Sequence, residues 1–270
     1  MSVDYPGMWL GQIGGMVPIP GYIGSVSVSR DSGAQYDRLL GGNMIGHVAT
    51  GRPKRVWDVQ IPKCDPSEVA PLAELLESAP LAAHWWVSPD AAATNLLTPA
   101  MCDLSGLVQA GPRPTAGGGS VVRSWLTGGR QVTVGPVPIV PGMKVTSSVY
   151  AEGASVSCWL AWQDVAGNYM LGTVQPTAVA IPAGELARVH ATGVPPAGAA
   201  AAVLIVRGAD VVSRPAITYT DGPTEWGAGR GAASVHMSGF DTSLVRAVRD
   251  PRVSMRREDV SFKVQEMRDA

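Results

Sequence analysis

Charge is in short supply in this sequence: charged residues fill 16% of its 270 positions, against about 25% in an average soluble domain. The 21 basic and 22 acidic side chains nearly cancel, which leaves no basic surface for tracking a phosphate backbone, and nucleic acid is not an expected partner. Cysteine is scarcer still. Cys64, Cys102 and Cys158 are odd in number and far apart, whereas a secreted disulfide framework is even and dense, so buried free thiols are expected. Long apolar runs are missing as well. The longest, AGAAAAVLIV from Ala197 to Val206, falls well short of the roughly 18 to 20 residues a membrane-crossing helix requires, and no membrane insertion is expected. The first residues, MSVDYPGMWLGQIGG, carry Asp4 and no basic start, a poor secretory signal; a soluble protein made in a reducing cytoplasm is the expectation. The four histidines, His47, His84, His190 and His236, have no close Cys, Asp or Glu at ligand spacing, which argues against a zinc or iron site. There is no Gly-x-Ser-x-Gly elbow. The glycine-rich stretch GAGRGAAS, residues 227 to 234, runs into strand-like residues where a phosphate loop needs a helix N-terminus. No catalytic motif and no cofactor motif emerge, and an enzyme is not expected.

Glycine and proline are abundant. With 32 and 22 residues they make up a fifth of the chain, above the average of roughly 12%, which favours many turns joining short strands. The chain is long enough for one large core or two ordinary ones. In SVSVSR, Val26 and Val28 share one face and Ser25, Ser27 and Ser29 the other, the period of a half-buried strand. RVWDVQIP reads as another. One helix is clear over residues 65 to 79: Asp65 caps it, Pro66 takes the first position, Glu68 closes a capping box, and Val69, Leu72, Leu75, Leu76 and Ala79 recur at helical spacing.

Beyond residue 95 short apolar runs recur at roughly ten-residue spacing between Gly, Pro and Asn, the pattern of a β-sandwich of the jelly-roll kind; among them, MKVTSSVYAEG and SVSCWLAWQDVAGN read as separate strands. Near the end, Val260, Phe262 and Val264 alternate with Ser261, Lys263 and Gln265, a half-exposed strand whose composition matches the first ninety residues better than the alanine-rich centre. The fold class is therefore mainly β: a module at 1–93 completed by strands at 228–270, with a jelly roll inserted at 94–227.

Aromatic residues supply the candidate sites. In VSCWLAWQDVAGN, Trp162 is in phase with Val156, Cys158 and Leu160, so Trp159 falls among Ser155, Ser157 and Ala161 on the other face. There an indole can stack on a sugar ring, with Tyr150 and Trp125 as candidate neighbours. Of Trp85 and Trp86 one suits the first module's core and the other a junction or a neighbouring subunit. Arg52, Arg55, Arg246 and Arg249 are interleaved with acids, and mixed signs suit a protein–protein interface. A glycosidase would need two carboxylates roughly 5 to 10 Å apart, and in the central module Asp164 and Glu185 are the acids expected to be able to meet.

The strand ending in Arg55-Val56-Trp57-Asp58-Val59, the helix after it, the stretch HWWVSPDAAATNLLTP (84 to 99) and VTSSVYAEGASVSCWLAWQDVAGN together resemble the minor tail proteins of long, non-contractile-tailed phages of actinobacteria, related to distal tail proteins. That resemblance implies a homo-oligomeric ring at the tail tip of a virion, built by the β module with other tail proteins as neighbours. The inserted jelly roll would be galactose-binding-like, with host cell-surface glycans as its ligand. Trp57 and the helix would belong to the ring module, the entry to the jelly roll would fall at Ser88-Pro89-Asp90 and Asn95-Leu96-Leu97, and the return near Trp226-Gly227. Carbohydrate-binding relatives of such jelly rolls hold a structural calcium; Asp103 and Asp221 are the carboxylates available for one.

Overall fold

The structure is a computed structural model that describes residues 7–19, 25–31, 35–38, 44–47, 54–78, 83–104, 106–116, 121–140, 142–250 and 253–267. Its strands are, in chain order, β1 (Trp9–Gln12), β2 (Gly15–Pro18), β3 (Ser25–Asp31), β4 (Gln35–Arg38), β5 (Met44–His47), β6 (Lys54–Cys64), β7 (His84–Val87), β8 (Val108–Pro114), β9 (Val121–Leu126), β10 (Val132–Pro138), β11 (Val145–Gln163), β12 (Val179–Ile181), β13 (Ala187–Gly193), β14 (Ala201–Arg207), β15 (Val211–Thr218), β16 (Ala232–Asp250) and β17 (Val253–Glu266). Three helices interrupt them: α1 (Pro66–Ser78), α2 (Pro89–Thr94) and α3 (Pro99–Asp103). The protein is mainly β, as its turn-rich composition implies. It divides into two compact units, one of Met1–Met16 and Val87–Ala233, the other of Val17–Trp86 and Ser234–Ala270.

In the second unit the strand order is β7-β16-β17-β6-β3, so segments from both ends of the sequence share one sheet. Period-two alternation sorts its faces. Met237, Val264, Trp57 and Val28 lie in register across four strands, and so do Asp241, Ser261, Gln60 and Ser25 on the opposite face. Trp57, Val59, Ile61, Val260, Phe262 and Val264 are buried. Helix α1 forms where the capping box demands: the Asp65 N–H donates to Glu68 Oε2 (3.1 Å) and the Ser67 N–H to Asp65 Oδ1 (3.0 Å). Val69 and Leu72 are buried, with Leu75 and Leu76 half-buried. The helix ends at Ser78, and Ala79 and Pro80, expected at its end, lie outside the described residues. The Arg52 interface candidate does too.

In the first unit, β11 is the organising strand. Its first half, Val145 to Ala151, pairs with β13 and β15, and its second half, Ser157 to Gln163, pairs with β14. The sheet continues from β15 to β9 and β8, and from β14 to β10. Where the sequence suggests two strands split at Gly153, one 19-residue strand runs through. Gly153 takes φ +154, and a Cβ there would press on the Gly208 carbonyl oxygen at 2.6 Å. This glycine is therefore a bulge at which one strand changes partners, with a register shift before Val156.

HWWVSPDAAATNLLTP contains two helix starts. Ser88 caps α2 (Ala91 N–H to Ser88 Oγ, 3.1 Å) and Thr98 caps α3 (Met101 N–H to Thr98 Oγ1, 3.2 Å), each followed by proline at the first helical position. Between them Asn95 is fully buried. Its Nδ2 donates to the carbonyls of Pro215 (3.0 Å) and Gly227 (3.2 Å), and its Oδ1 accepts from the N–H groups of Leu97 and Ile217, both at 3.2 Å. One amide thus ties the entry to β15 and to the exit of the unit. The exit segment lies directly on the entry, with Arg230 N–H on Asn95 O (3.0 Å) and Gly231 N–H on Leu97 O (3.1 Å). Approach this close excludes side chains: a Cβ on Gly231 would fall on the Leu96 carbonyl oxygen. The glycines of GAGRG serve backbone contact. Because these segments pack into the first unit, its bounds fall at 87 and 233, where the sequence suggests 94 and 227.

Replacing Asn95 by Leu strips the Asn95 bond from the N–H groups of Leu97 and Ile217 and from the Gly227 carbonyl, while the Pro215 carbonyl keeps Trp226 Nε1–H; each orphaned group costs about 1–3 kcal/mol. Urea denaturation followed by tryptophan fluorescence should therefore show a loss of at least about 3 kcal/mol. Gly231→Ala should be at least as damaging, and a wild-type midpoint for either variant would remove Asn95 from the centre of the unit.

Candidate functional site

Along the second half of β11, Val156, Cys158, Leu160 and Trp162 are buried, and Trp162 Nε1–H donates to the Gly172 carbonyl (3.1 Å). Burial pushes the Cys158 thiol up to about 12, so it stays protonated and inert; Cys64 is likewise buried and Cys102 half-buried, and none of the three is in a disulfide. Ser157, Trp159 and Ala161 occupy the opposite face, as alternation requires. Trp159 is half-buried against Ala161, Val203 and Ile205. Its Nε1–H donates to Ser157 Oγ (3.0 Å). The Arg207 guanidinium lies over its ring, 3.8 Å from the centroid, and Arg207 Nε–H donates to Gln131 Oε1 (2.8 Å). Register explains the stack, since Arg207 stands opposite Ser157 and Ile205 opposite Trp159. The Arg207 guanidinium thus covers one face of the indole, with the Gln131 amide at its edge.

Tyr150 and Trp125 are not its neighbours. Tyr150 lies in the first half of β11, packed on Val122, Leu186 and Val211, with the Arg188 guanidinium 5.7 Å from its ring. Arg188 Nη2–H donates to Ser148 Oγ (2.9 Å), and burial pulls its pKa below the usual value while Tyr150 opposes. Trp125 is buried on β9. It registers with Val212, whereas Tyr150 registers with Ser213, which puts the two aromatic residues on opposite faces. The partner change at Gly153 is why Tyr150 and Trp159, nine residues apart on one strand, pair with different neighbours, β15 and β14.

Of the carboxylates weighed for a glycosidase or for calcium, Asp164 accepts from the N–H groups of Ala166 (2.9 Å) and Asn168 (2.8 Å) and from Asn168 Nδ2 (3.1 Å). These bonds, the Asn168 ones foremost, hold its pKa below the ordinary aspartate value, whereas a general acid needs it raised. Asp221 pairs with Lys144 at 3.1 Å, and Asp103 ends α3. Among the described residues no group of three or more His, Cys, Asp or Glu could hold a metal ion, and no helix is long and apolar enough to cross a membrane.

In the second unit Trp85 and Trp86 are both buried, Trp86 packing on Trp57 with centroids 6.0 Å apart. Arg55 forms a bidentate pair with Glu266 (Nε to Oε2, 2.9 Å; Nη2 to Oε1, 2.7 Å) and covers the Trp57 ring at 5.1 Å. It links the first-half strand to the last. Arg246 and Arg249 stand on β16 opposite Arg257 and Ser254. The sheet's polar face holds a recess of about 420 Å³ bordered by Gln60, Asp241, Ser243, Asp259 and Ser261. His84 is buried, with no hydrogen-bond partner for Nδ1 among the described residues, and burial first and His236 second depress its pKa.

No protein-family model and no curated protein matches this chain. Three solved structures give faint likenesses. The enzymatically active domain of tailspike protein 4 of bacteriophage CBA120 has a TM-score of 0.26 at 9% identity over 80% of this chain and 20% of that one. The CBM22-1 xylan-binding domain of Paenibacillus barcinonensis Xyn10C has 0.25 at 8% identity over 71% and 85%. Infectious bursal disease virus, Gt strain, has 0.25 at 11% over 96% and 55%. The chain spans about a fifth of the tailspike chain and about half of the bursal virus chain. At these scores they assign it neither a family nor an activity.

A histidine whose folded pKa is depressed contributes stability that is complete above its unfolded pKa of about 6.5 and is lost as pH falls from there toward the folded value. Unfolding free energy measured between about pH 7.5 and 5.5 should accordingly decline in the wild type and flatten in His84→Gln. An equally steep profile in the variant would place the titrating group elsewhere.

Proposed function

We propose that this chain is a structural, non-enzymatic subunit of a phage tail tip that self-associates through the second unit and carries the first as a docking module. The observation behind this reading is the build of the second unit: β6 and β17, far apart in sequence, pair from Glu258↔Cys64 to Gln265↔Val56, while most of the first unit, Val87–Ala233, lies in the chain between them. A module inserted this way keeps both its ends anchored in the assembling unit. The polar atoms of Asp164 are engaged in its own turn, which supports a non-enzymatic role. On this reading its partners are further copies and neighbouring tail proteins.

A second reading, adhesion to host cell-wall glycans through the first unit, is favoured by the half-exposed Trp159–Arg207 stack. Trp159 would carry the contact and Arg207 would donate to ring hydroxyls, with Tyr150 and Trp125 outside the contact.

Purified protein should sediment as a concentration-dependent multimer and show rings by negative-stain microscopy; a monomer at every concentration overturns the tail-subunit reading. Trp159→Ala should weaken binding to host cell-wall polysaccharide about tenfold, the weight of one stacked aromatic contact. Unchanged binding would move the sugar contact off this face.

A further inference from the structure

The recess on the polar face of the second unit's sheet is set by strand register. Asp241 on β16 stands opposite Ser261 on β17, and Ser243 stands opposite Asp259. Directly opposed residues share a face, and so do residues two apart on one strand. The four side chains therefore form a square, with carboxylates on one diagonal and hydroxyls on the other. Diagonal neighbours are roughly 7–8 Å apart at the backbone, which leaves room for a ligand group between the two carboxylates. The row continues from Ser261 to Gln60 on β6 and from Gln60 to Ser25 on β3. Pro62, two residues beyond Gln60, borders the same recess and is exposed. The volume, about 420 Å³, falls within the roughly 300–1,000 Å³ of small-molecule sites.

The polar groups around this recess are held in place but little used. Among the described residues, Asp241, Ser243 and Ser261 have no hydrogen-bond or ion-pair partner. Gln60 Oε1 accepts only a long bond from Ser25 Oγ (3.4 Å). Asp259 is anchored at the rim: its Oδ1 accepts from the N–H of Lys63 (2.8 Å), which takes a left-handed backbone at φ +54. The chemistry of the border selects a ligand. Two carboxylates with no basic side chain among the lining residues repel phosphate and carboxylate groups. A purely apolar ligand would strip water from the carboxylates and give them nothing in return. Carboxylate oxygens accept from hydroxyl groups, whereas the serine hydroxyls and the Gln60 amide both donate and accept. The Pro62 ring adds one apolar plate. A neutral ligand with several hydroxyl groups and a C–H face satisfies every one of these groups.

We propose that this recess binds a small neutral saccharide, with Asp241 and Asp259 accepting from its hydroxyl groups, Ser243 and Ser261 bonding between them, and Pro62 covering a C–H face. The site belongs to the second unit, whereas Trp159 belongs to the first, and it depends neither on self-association nor on the Trp159 contact.

The test uses the full chain and saturation-transfer NMR, with methyl β-galactoside, N-acetylglucosamine, cellobiose and maltose as probes and folding checked by circular dichroism. At least one probe should receive saturation, with a dissociation constant on the order of millimolar, as expected for a few hydrogen bonds on an open site. Asp241→Asn with Asp259→Asn keeps an acceptor oxygen toward the Lys63 N–H but removes both charges, and should weaken binding about tenfold or more. Ser243→Phe fills the recess from an exposed position and should abolish the transfer. Transfer to none of the four probes, or transfer undiminished in a folded variant of either kind, overturns the site and leaves the tail-subunit reading as it stands. Binding that appears only with added calcium would make this a cation site and overturns the proposal equally. If the double asparagine variant does not fold, Ser243→Phe alone decides.

Discussion

The pairing of β6 with β17 is the constraint on which the molecule depends, because among the described residues nothing else joins the two sequence segments of the second unit so extensively. Cys64 and Glu258, whose Sγ and carbonyl meet at 3.0 Å, are 194 residues apart. Closing a flexible loop of that length carries an entropic cost that grows as the logarithm of its length. The intervening unit reduces it by folding with its own entry and exit side by side. Asn95 bonds to Gly227 and Pro215, and Arg230 and Gly231 bond back to Asn95 and Leu97. Once that seam forms, the loop still to be closed is a few tens of residues long, easing the closure by on the order of 1 kcal/mol. The seam thus serves folding of the unit it does not belong to.

Local signals in the sequence read well where one element satisfies one rule. The Asp65–Glu68 capping box and the Val260-Phe262-Val264 alternation predict what the structure holds, because cap geometry and strand period act over three to five residues. Signals that depend on distant partners read poorly. Gly153 looks like a turn because a bulge and a turn use the same residue, and only β14 and β15, more than 40 residues downstream, decide between them. Ser88-Pro89 and Thr98-Pro99 carry helix-start chemistry, but runs as short as PDAAAT and PAMCD lack the apolar periodicity that announces a helix. The candidate site was half legible. Alternation alone assigns Trp159 to the face opposite Trp162, while the guanidinium over it comes from Arg207 on another strand, which no local pattern reveals.

That stack has counterparts throughout the chain. Arg55 lies over Trp57, Arg188 over Tyr150, Arg207 over Trp159 and Arg214 over Trp226, at 3.8 to 5.7 Å. In a protein with so few charges, a planar guanidinium laid on an aromatic face buries hydrocarbon and keeps its donors available. This pattern bears on how both residue types are read. An arginine judged by charge looks like an interface residue and a tryptophan judged by exposure looks like a sugar platform, yet Arg55 and Trp57 serve each other, and Arg55 holds Glu266 as well.

The surfaces left for assembly follow from what the second unit covers. One face of its sheet is closed by its own apolar core, and the other presents Ser25, Ser27, Gln60, Asp241 and Ser243 to solvent, a wall with few apolar groups to drive association. The edges differ. Strand β3 ends the sheet. An assembly built from this unit would grow from its rim, where an edge strand offers backbone hydrogen-bonding groups, rather than from either face of the sheet.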